Sequence, residues 1–288
     1  MTTAPQFLIG ADPELFVAGR DGRPMSVHDI IPGSKKAPHK VASGAIQPDG
    51  LAAEFNIDPV PVSDFAAFDT SILAVIGEVK QRLPEGATIL RGASTMFDKD
   101  YYDSLPDEVK VLGCEPDYCA YSTDIFAPNP RPDGDSGLRS AAGHIHIGWG
   151  ADIPADHPEH LEVCRKIVRQ MDWYVGLAMT IIDPDTERRK LYGKAGAYRP
   201  KSYGVEYRTP SNAWLWSKGL RRFIHQMVNR AITDMVAQRV FEDIYNSKYR
   251  DTYPDVQSII NNGDATAARS VLEKCLNVRI PDFTAKAA

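Results

Sequence analysis

The sequence has few cysteines and no long apolar run. Its 288 residues include four cysteines without a CxxC pair, too few for a disulfide framework, so we expect reduced and mostly buried thiols. Every apolar run falls well short of the roughly 20 residues that span a bilayer, so we expect no membrane segment and no membrane partner. The first residues have neither the basic start nor the apolar stretch of a secretion signal, which predicts a cytoplasmic protein.

An excess of positive charge is also missing. Thirty-three Lys and Arg against 38 Asp and Glu give a formal charge of −5, which would repel a nucleic-acid backbone, so we expect no direct binding to one. With 43% apolar and 25% charged residues, the composition is that of an ordinary globular protein and excludes a disordered or fibrous chain. The length corresponds to one large domain or two small ones.

Short segments of alternating polarity dominate the N-terminal half and predict β-strands. These segments are residues 7–17, 52–57, 88–91, 110–112 and 143–149. Between them, residues 63–83 carry apolar side chains at helical spacing, with Ser63 as the predicted N-cap. Two longer helices are predicted over 158–182 and 214–245, and a short one near 264–275.

The helices do not alternate regularly with the strands, which favours an α+β fold built on a mainly antiparallel sheet. Residues 183–212, between the two longer helices, are too broken for a helix and too cationic for a buried strand alone. Such a segment is typical of a functional loop. The polar tail 284–288 is predicted to fray. No GxGxxG or GxxxxGK[ST] pattern is present, so Rossmann and P-loop folds lack their fingerprint.

Paired polar residues, two positions apart, occur in four segments of the sequence. The pairs are Asp12 and Glu14, Glu54 and Asn56, His144 and His146, and Glu206 and Arg208. Residues two apart on a strand point to the same face. If the strands share one sheet, one face packs on the helices and the other gathers carboxylates, imidazoles and a guanidinium.

The residue types on that face are ligands of divalent cations. Alternation by itself is common in any half-solvated sheet, so a single pair means little, but these types predict a metal site. Carboxylates this close would raise one another's pKa unless cations neutralised them. A cupin-type His-x-His site is a second interpretation, although Gly148 and Trp149 stand where cupins are expected to carry a glutamate.

A dense group of cations lies between residues 188 and 208. It contains Arg188, Arg189, Lys190, Lys194, Arg199, Lys201 and Arg208, with Glu206 as the one acid. Such a segment is either a solvated basic loop or a polyanion site, in which arginine binds phosphate oxygens bidentately. Tyr192, Tyr198 and Tyr203 lie among the cations and are candidates to stack on a base or close the pocket. Phosphate beside divalent metal predicts a nucleoside triphosphate and phosphoryl transfer.

Six short motifs follow one another along the chain: residues 9–16 (IGADPELF), 47–56 (QPDGLAAEFN), 113–117 (GCEPD), 143–148 (GHIHIG), 188–199 (RRKLYGKAGAYR) and 204–210 (GVEYRTP). Together they resemble the motifs of the phage-type carboxylate-amine ligases, in the glutamine synthetase and glutamate-cysteine ligase superfamily. Each motif alone is weak, but their order and number make the resemblance specific. The core motifs span residues 7–212, and residues 213–283 form a helical C-terminal flank.

The resemblance implies a single catalytic domain over residues 1–288, with a curved, mainly antiparallel sheet flanked by helices. It implies ATP and two or three Mg²⁺ or Mn²⁺ ions, and a small-molecule or peptide carboxylate that is phosphorylated and then joined to an amine. A homo-oligomer is possible by the same resemblance, and the location would be the host cytoplasm if a phage encodes the chain.

The resemblance also assigns roles by motif position. The implied metal ligands are Glu14, Glu54, Glu206 and His144, with Asp12, although Asp12-Pro13 departs from the pair of glutamates usual in relatives. The implied ATP phosphate ligands are Arg188, Arg189, Lys190 and His146. The substrate would contact Lys194, Tyr198 and Arg199. The implied catalytic residues are Arg208 at the transferred phosphoryl group, Glu54, and Asp49 as general base.

Two other functions fit some of these residues. A metal-dependent hydrolase or oxygenase would use the same histidines and carboxylates without nucleotide, and would not need the cationic segment. A non-catalytic binding protein on the same fold would be expected to lose an acidic ligand, and Glu14, Glu54 and Glu206 are all present.

Overall fold

The structure is a computed structural model that describes residues 6–111, 117–122, 137–150 and 153–283, and the backbone but not the side chains of Glu187, Lys190 and Leu191. Within these ranges the fold is α+β with antiparallel sheets, as the sequence predicts. The strands are β1 Leu8–Leu15, β2 Val17–Ala18, β3 Pro24–Met25, β4 Gly33–Ser34, β5 Ala37–Val41, β6 Gly44–Asp49, β7 Ala52–Ile57, β8 Val60–Pro61, β9 Thr88–Ile89, β10 Ser94–Met96, β11 Tyr118–Cys119, β12 Leu138–Ser140, β13 Gly143–Gly148, β14 Ala197–Lys201 and β15 Gly204–Tyr207.

The described helices surround the main sheet. They are α1 Phe65–Arg82, α2 Lys99–Ser104, α3 Asp107–Lys110, α4 Pro158–Met171, α5 Leu177–Ile182, α6 Thr186–Leu191, α7 Lys218–Val236, α8 Phe241–Lys248, α9 Val256–Asn262 and α10 Ala265–Ser270. A 3₁₀ turn covers Asn212–Leu215, and π-helical turns cover Asp172–Gly176 and Val271–Cys275. Among the described helices, none is long and apolar enough to cross a membrane.

The main sheet has the strand order β11-β14-β15-β13-β1-β7-β6-β5-β4, and β8 pairs with β1 beside β7. The strands that carry the paired polar residues are therefore consecutive neighbours, β15, β13, β1 and β7. Their antiparallel register places Asp12 opposite His144 and Glu14 opposite Glu54. It also places Glu206 opposite His146. The prediction that these pairs share one sheet is confirmed.

The opposite face of the sheet is apolar and forms the core. Phe55, Ile145, Ile147 and Val205 are fully buried there. Helices α1 and α4 contact the strands, and α7 packs against both helices. Burying each such side chain contributes about 1.5–3 kcal/mol, so the apolar face of the sheet is what holds the polar face in position.

Three predictions of local structure need correction. Helix α1 is capped by Asp64 and not by Ser63, because the Asp64 carboxylate accepts from the backbone N–H of Ala67 at 2.9 Å. A carboxylate at this position also interacts favourably with the helix dipole. Lys110 ends helix α3 instead of starting a strand, and Leu112 lies outside the described residues. The broken segment 183–212 contains helix α6 and the hairpin of β14 and β15.

The two long predicted helices have different outcomes. Residues 158–182 are continuous from α4 through the π-helical turn into α5. Residues 214–245 are broken, because α7 ends at Val236 and Gln238 has a φ of +57°. The break lets Phe241 and Tyr245 of α8 pack against Trp173. The helix near 264–275 is confirmed, and the tail 284–288 lies outside the described residues.

Candidate functional site

The centre of the polar face holds two histidines and two carboxylates, Asp12, His144, His146 and Glu206, which we call the histidine–carboxylate cluster. Asp12 Oδ1 lies 3.3 Å from Nδ1 of His144 and 3.0 Å from Nε2 of His146. Glu206 Oε1 lies 3.3 Å from the same Nδ1 of His144. One ligand atom from each of Asp12, His144 and Glu206 falls within 4.8 Å of the others. The two-residue repeat and the strand register together produce this cluster.

The charges of the cluster depend on one another. Burial acts to raise the pKa of Asp12, but the neighbouring His146 and His144 outweigh it and hold that pKa well below its usual value. Burial acts to lower the pKa of His146, and Asp12 outweighs it, so the pKa of His146 is raised. Burial and then Arg208 lower the pKa of His144. The pKa values of the two imidazoles therefore shift in opposite directions, and the lowered pKa of His144 favours its neutral form.

The cluster has the properties that a divalent cation requires. Glu206 is 1% exposed, and within the described residues its Oε2 and the Oδ1 of Asp12 have no partner in hydrogen-bond geometry. The Nζ of Lys201 lies 2.8 Å from Glu206 Oε2. This contact is an ion pair whose angles are not those of a hydrogen bond. Carboxylate oxygens are suitable ligands for Mg²⁺ or Mn²⁺, and a neutral imidazole is a ligand for divalent transition metals, so these residues fit a cation.

A second group of acids, Glu14, Glu54 and Asp49 with Gln47, lies beside the first across β1, β7 and β6; we call it the carboxylate cluster. Gln47 Nε2 donates to Glu54 Oε2 at 2.7 Å, and the backbone N–H of Ala142 donates to Glu14 Oε2 at 2.9 Å. Asp49 pairs with Lys35 at 2.6 Å.

The members of the carboxylate cluster raise one another's pKa. Burial and then Asp49 raise the pKa of Glu14 to about 7. Burial, followed by Asp12, Asp49 and Glu14, raises the pKa of Glu54 well above its usual value. This is the mutual effect that the sequence predicts for unneutralised acids, and a bound cation would reverse it. Glu14 and Glu54 therefore fit a second cation.

Cations from the β14–β15 hairpin line the other side of the histidine–carboxylate cluster. Arg208 is buried between Glu206 Oε1 and Asp117 Oδ1, the latter at 2.6 Å from its Nε. Arg199 stands opposite Glu206 in the register and reaches within 3.9 Å of Asp117 Oδ1. Arg199 and Lys201 are both partly exposed. The hairpin thus places positive charge at the edge of the cation ligands, where an anion would meet it.

The predicted phosphate ligands Arg188 and Arg189 are placed differently. Arg188 is 2% exposed and donates to the backbone oxygens of Thr209 at 3.0 Å and Pro210 at 2.9 Å. Arg189 donates to the backbone oxygens of Met179, Asp183 and Asp185. These guanidinium groups donate hydrogen bonds to backbone oxygens around α6, and their role as phosphate ligands stays a prediction. The side chain of Lys190 lies outside the described residues.

The three tyrosines of the cationic segment also differ in their placement. Tyr198 is fully buried on the apolar face, one position out of phase with Arg199, so its expected contact with substrate is not supported by its placement. The Tyr192 hydroxyl lies 3.0 Å from Nε2 of His144 and accepts from Arg208. The Tyr203 hydroxyl lies 2.6 Å from Nδ1 of His146, with the two rings stacked. Lys194 is exposed.

Three residues of the site received no role from the sequence. Gln47 belongs to the second motif and precedes Asp49 by two positions, which was a usable signal for the same face. Lys201 was recognised only as one of several cations. Asp117 is 91 positions from its partner Arg208, and no local pattern reveals a contact at that separation.

The fold and the site define a sheet face with clustered carboxylates and imidazoles beside a hairpin that carries several cations. Residues 140–276, just under half of the chain, match the model of the family described as phage phiEco32-like COOH.NH2 ligase-type 2. The match confirms the resemblance to carboxylate-amine ligases. It covers β13, the hairpin and the helices that follow, whereas the motifs that contain Asp12, Glu14 and Glu54 precede it.

Two further comparisons complete the findings. No curated protein matches the sequence. The structure is similar to the crystal structure of a bifunctional glutathione synthetase from Pasteurella multocida, with a TM-score of 0.40, 12% identity, and coverage of 94% of this chain and 49% of that chain. The chain therefore spans about half the length of that protein.

Proposed function

We propose that the protein is an ATP-dependent carboxylate-amine ligase that forms an amide bond through an acyl phosphate. The observation that carries the proposal is that one sheet face holds two partly buried acid clusters together with the partly exposed cations Arg199 and Lys201. Phosphoryl transfer needs both parts, because metal ions and cations share the charge that develops on the moving group. The match to carboxylate-amine ligases supports the same conclusion.

The proposal includes the fold type and the extent of the catalytic unit. We assign the sheet to the curved antiparallel type of the glutamine synthetase and glutamate-cysteine ligase superfamily, and the whole chain to one catalytic domain. The contacts that support this assignment join the C-terminal helices to the rest of the protein, as α10 packs on α5 and α7 packs on α1 and α4.

Two groups of residues would hold divalent cations. Asp12, His144 and Glu206 form one set, and Glu14 and Glu54 form the other. When bound, Mg²⁺ or Mn²⁺ would neutralise the carboxylates and the phosphate oxygens and stabilise charge on the transferred group. His146, held by Tyr203, is left to contact phosphate.

The hairpin would bind the triphosphate. Lys201 and Arg199 are the partly exposed cations beside Glu206, and Arg208 faces the same carboxylate from within. Arg188 and Arg189 support the backbone below them. We assign Lys194, with Arg199, to the substrate carboxylate, because Lys194 is exposed on the same segment.

The reaction would proceed in two steps. An oxygen of the substrate carboxylate attacks the γ-phosphorus of ATP, the bond to the bridging oxygen breaks, and ADP leaves. The amine then attacks the carbonyl carbon of the acyl phosphate, loses a proton and expels inorganic phosphate. Asp49 is our candidate to accept that proton, and it forms an ion pair with Lys35 at 2.6 Å.

A screen for Mg²⁺-dependent ADP release across pairs of amino acids, peptides and polyamines tests the proposal, with mass spectrometry of the product. We expect ADP release only when both a carboxylate and an amine are present, and a product with the combined mass less one water. Product formed without ATP would instead identify the hydrolase or oxygenase. Binding of Mg²⁺ and ATP without turnover of any pair would favour the binding protein.

A further inference from the structure

Asp172 is a buried carboxylate on the side of the sheet opposite the proposed site. It begins the π-helical turn Asp172–Gly176 and has no exposed surface. Its Oδ1 accepts from the Tyr207 hydroxyl at 2.6 Å, and its Oδ2 accepts from the backbone N–H of Gly196 at 2.7 Å. Thr209 Oγ1 makes a longer contact of 3.5 Å with Oδ1. Burying a charge is unfavourable unless it is well hydrogen-bonded, so this carboxylate needs an explanation.

The donors to Asp172 lie at the two ends of one hairpin. Gly196 immediately precedes β14, Tyr207 ends β15, and Thr209 follows β15. Between these points the hairpin carries Arg199 and Lys201, and Arg208 stands between Tyr207 and Thr209. Because side chains alternate along a strand, Tyr207 reaches back to Asp172 while Glu206 and Arg208 face the polar side. The Asp172 carboxylate therefore holds both ends of the hairpin from the apolar side of the sheet.

The π-helical turn is shaped for this contact. A Cβ at Gly176 would lie 2.9 Å from the Tyr207 hydroxyl, 3.2 Å from Asp172 Oδ1 and 2.6 Å from Ile260 Cδ1. Only glycine therefore leaves room for Tyr207 to reach the carboxylate. Turns of this type inside α-helices recur at functional sites, and here the turn interrupts a helix that is otherwise regular from α4 to α5.

We infer that Asp172 is a positioning residue for the anion-binding hairpin, holding the strands that carry Arg199, Lys201 and Arg208 against the cation ligands. It touches neither substrate nor cation and acts through Tyr207, Gly196 and Thr209. The identity of the anion as the ATP triphosphate rests on the proposed function. The hydrogen bonds from Gly196 and Tyr207 to Asp172 do not depend on the proposed function.

The test compares Asp172→Asn and Tyr207→Phe with the matched control Tyr174→Phe. Tyr174 lies in the same π-helical turn, but its hydroxyl donates to Asp234 at 2.6 Å, away from the hairpin. We would measure the binding of Mg²⁺–ATP and of inorganic tripolyphosphate by calorimetry, the KM for ATP and kcat, and the thermal unfolding midpoint. Asp172→Asn and Tyr207→Phe should each weaken polyanion binding about tenfold and raise KM more than they lower kcat, while Tyr174→Phe should leave binding unchanged.

The outcomes separate this inference from the proposed function. If the wild-type protein binds neither ATP nor tripolyphosphate, the proposed function fails. If the wild type binds them and both hairpin variants bind equally well, with only a lower unfolding midpoint, Asp172 is merely structural and the inference is overturned. Equal losses in Tyr174→Phe would also overturn it. Tyr207→Phe keeps the test decisive if Asp172→Asn does not fold.

Discussion

Glu206 shows how a single side chain joins the two halves of the proposed site. Its Oε1 faces His144 and Arg208, and its Oε2 faces Lys201. On one side it offers oxygen to a cation, and on the other it orders the groups that would bind an anion. Removing its charge should therefore affect both.

Glu206→Gln should lower Mg²⁺-dependent ADP release by about a hundredfold, since altering even the hydrogen-bonded partners of metal ligands typically costs about 10–100-fold. The variant should still fold, because Arg208 keeps its bond to Asp117. ADP release and circular dichroism would be measured together, with the exposed Glu85→Gln as control. Full turnover by Glu206→Gln would contradict the assignment of this carboxylate to the site.

Asp172 should make stability depend on pH. Burial raises the pKa of Asp172 to about 7, against about 3.9 in an unfolded chain. Between these values the native carboxyl keeps a proton that the unfolded chain has lost, so its contribution to the free energy of unfolding falls as pH rises from about 4 to about 7. The effect is a few kcal/mol at most.

Asp172→Asn should remove that dependence. Relative to the wild type, its free energy of unfolding should increase between about pH 5 and about pH 8, as measured by urea denaturation at both values. If the two proteins show parallel pH profiles, the carboxyl of Asp172 does not titrate in this range in the native protein.

Much of the site at this scale was predictable, because a two-residue repeat fixes which side chains share a face. Asp12, Glu14, Glu54, His144 and Glu206 came together as the alternation indicated. Tyr198 lies buried on the apolar face, which the sequence did not reveal because it did not establish strand β14, and its contact with substrate stays a prediction. The phosphate roles of Arg188 and Arg189 also stay predictions, because the sequence shows their charge but not the backbone oxygens that they bind.

At the scale of elements, helices α1 and α7 are joined by a buried ion pair. Arg221 Nε lies 2.6 Å from Asp69 Oδ1, and its NH1 donates to the backbone oxygen of Leu215 at 2.6 Å. Both side chains are largely buried. This pair fixes α7, and with it the C-terminal helices, to the helix that covers β7.

Asp69→Ala should lower the free energy of unfolding by about 3–5 kcal/mol, because it leaves the Arg221 charge buried without its partner. As a matched control, Asp64→Ala removes the N-cap of the same helix and should cost about 0.5–2 kcal/mol. Chemical denaturation of the two variants gives both values. Equal losses would mean that the ion pair contributes no more than an exposed cap.

The hairpin of β14 and β15 was not predicted from the sequence. Its residues combine cations, glycines and a proline, which read as a loop, and strand pairing with β13 overrides that local preference. Its turn is also held from behind, since His160 Nε2 lies 2.8 Å from the Lys201 backbone oxygen and 3.1 Å from that of Gly204. Similarly, the break after α7 depends on the packing of Phe241 and Tyr245, which the helical spacing of that segment does not reveal.

At the scale of the whole molecule, the acid clusters give the protein an unfavourable concentration of negative charge when no cation is bound. Burial and neighbouring acids raise the pKa of Glu14 to about 7 and that of Glu54 well above its usual value. A ligand that binds the native state and not the unfolded chain stabilises it. Mg²⁺ should therefore be a stabiliser as well as a participant in the reaction.

Mg²⁺ should raise the unfolding midpoint of the wild type and release protons as it binds. Near pH 7 Glu14 is partly protonated, and a cation favours the ionised form, so affinity should increase as pH rises through this value. Calorimetry in buffers of different ionisation enthalpy measures the protons released, with Glu14→Gln as the comparison. Binding without proton release would place the ion away from Glu14.

Strand order is the part of the molecule that no local pattern contained. The sequence gives each polar pair, but Asp12 and His144 are more than a hundred positions apart and become neighbours only through the pairing of β1 with β13. The alternation nonetheless predicted that these pairs would share one face, where the register places Asp12 opposite His144 and Glu14 opposite Glu54.

Strand β1 contributes one acid to each cluster, and this has a geometric consequence. Asp12 and Glu14 are two residues apart on a continuous strand, so their separation along it is about 7 Å. The strand would thus fix the distance between the two proposed cation positions without depending on any loop. Under the proposed function, the ends of the sheet could vary to admit different carboxylates and amines while that distance stays constant.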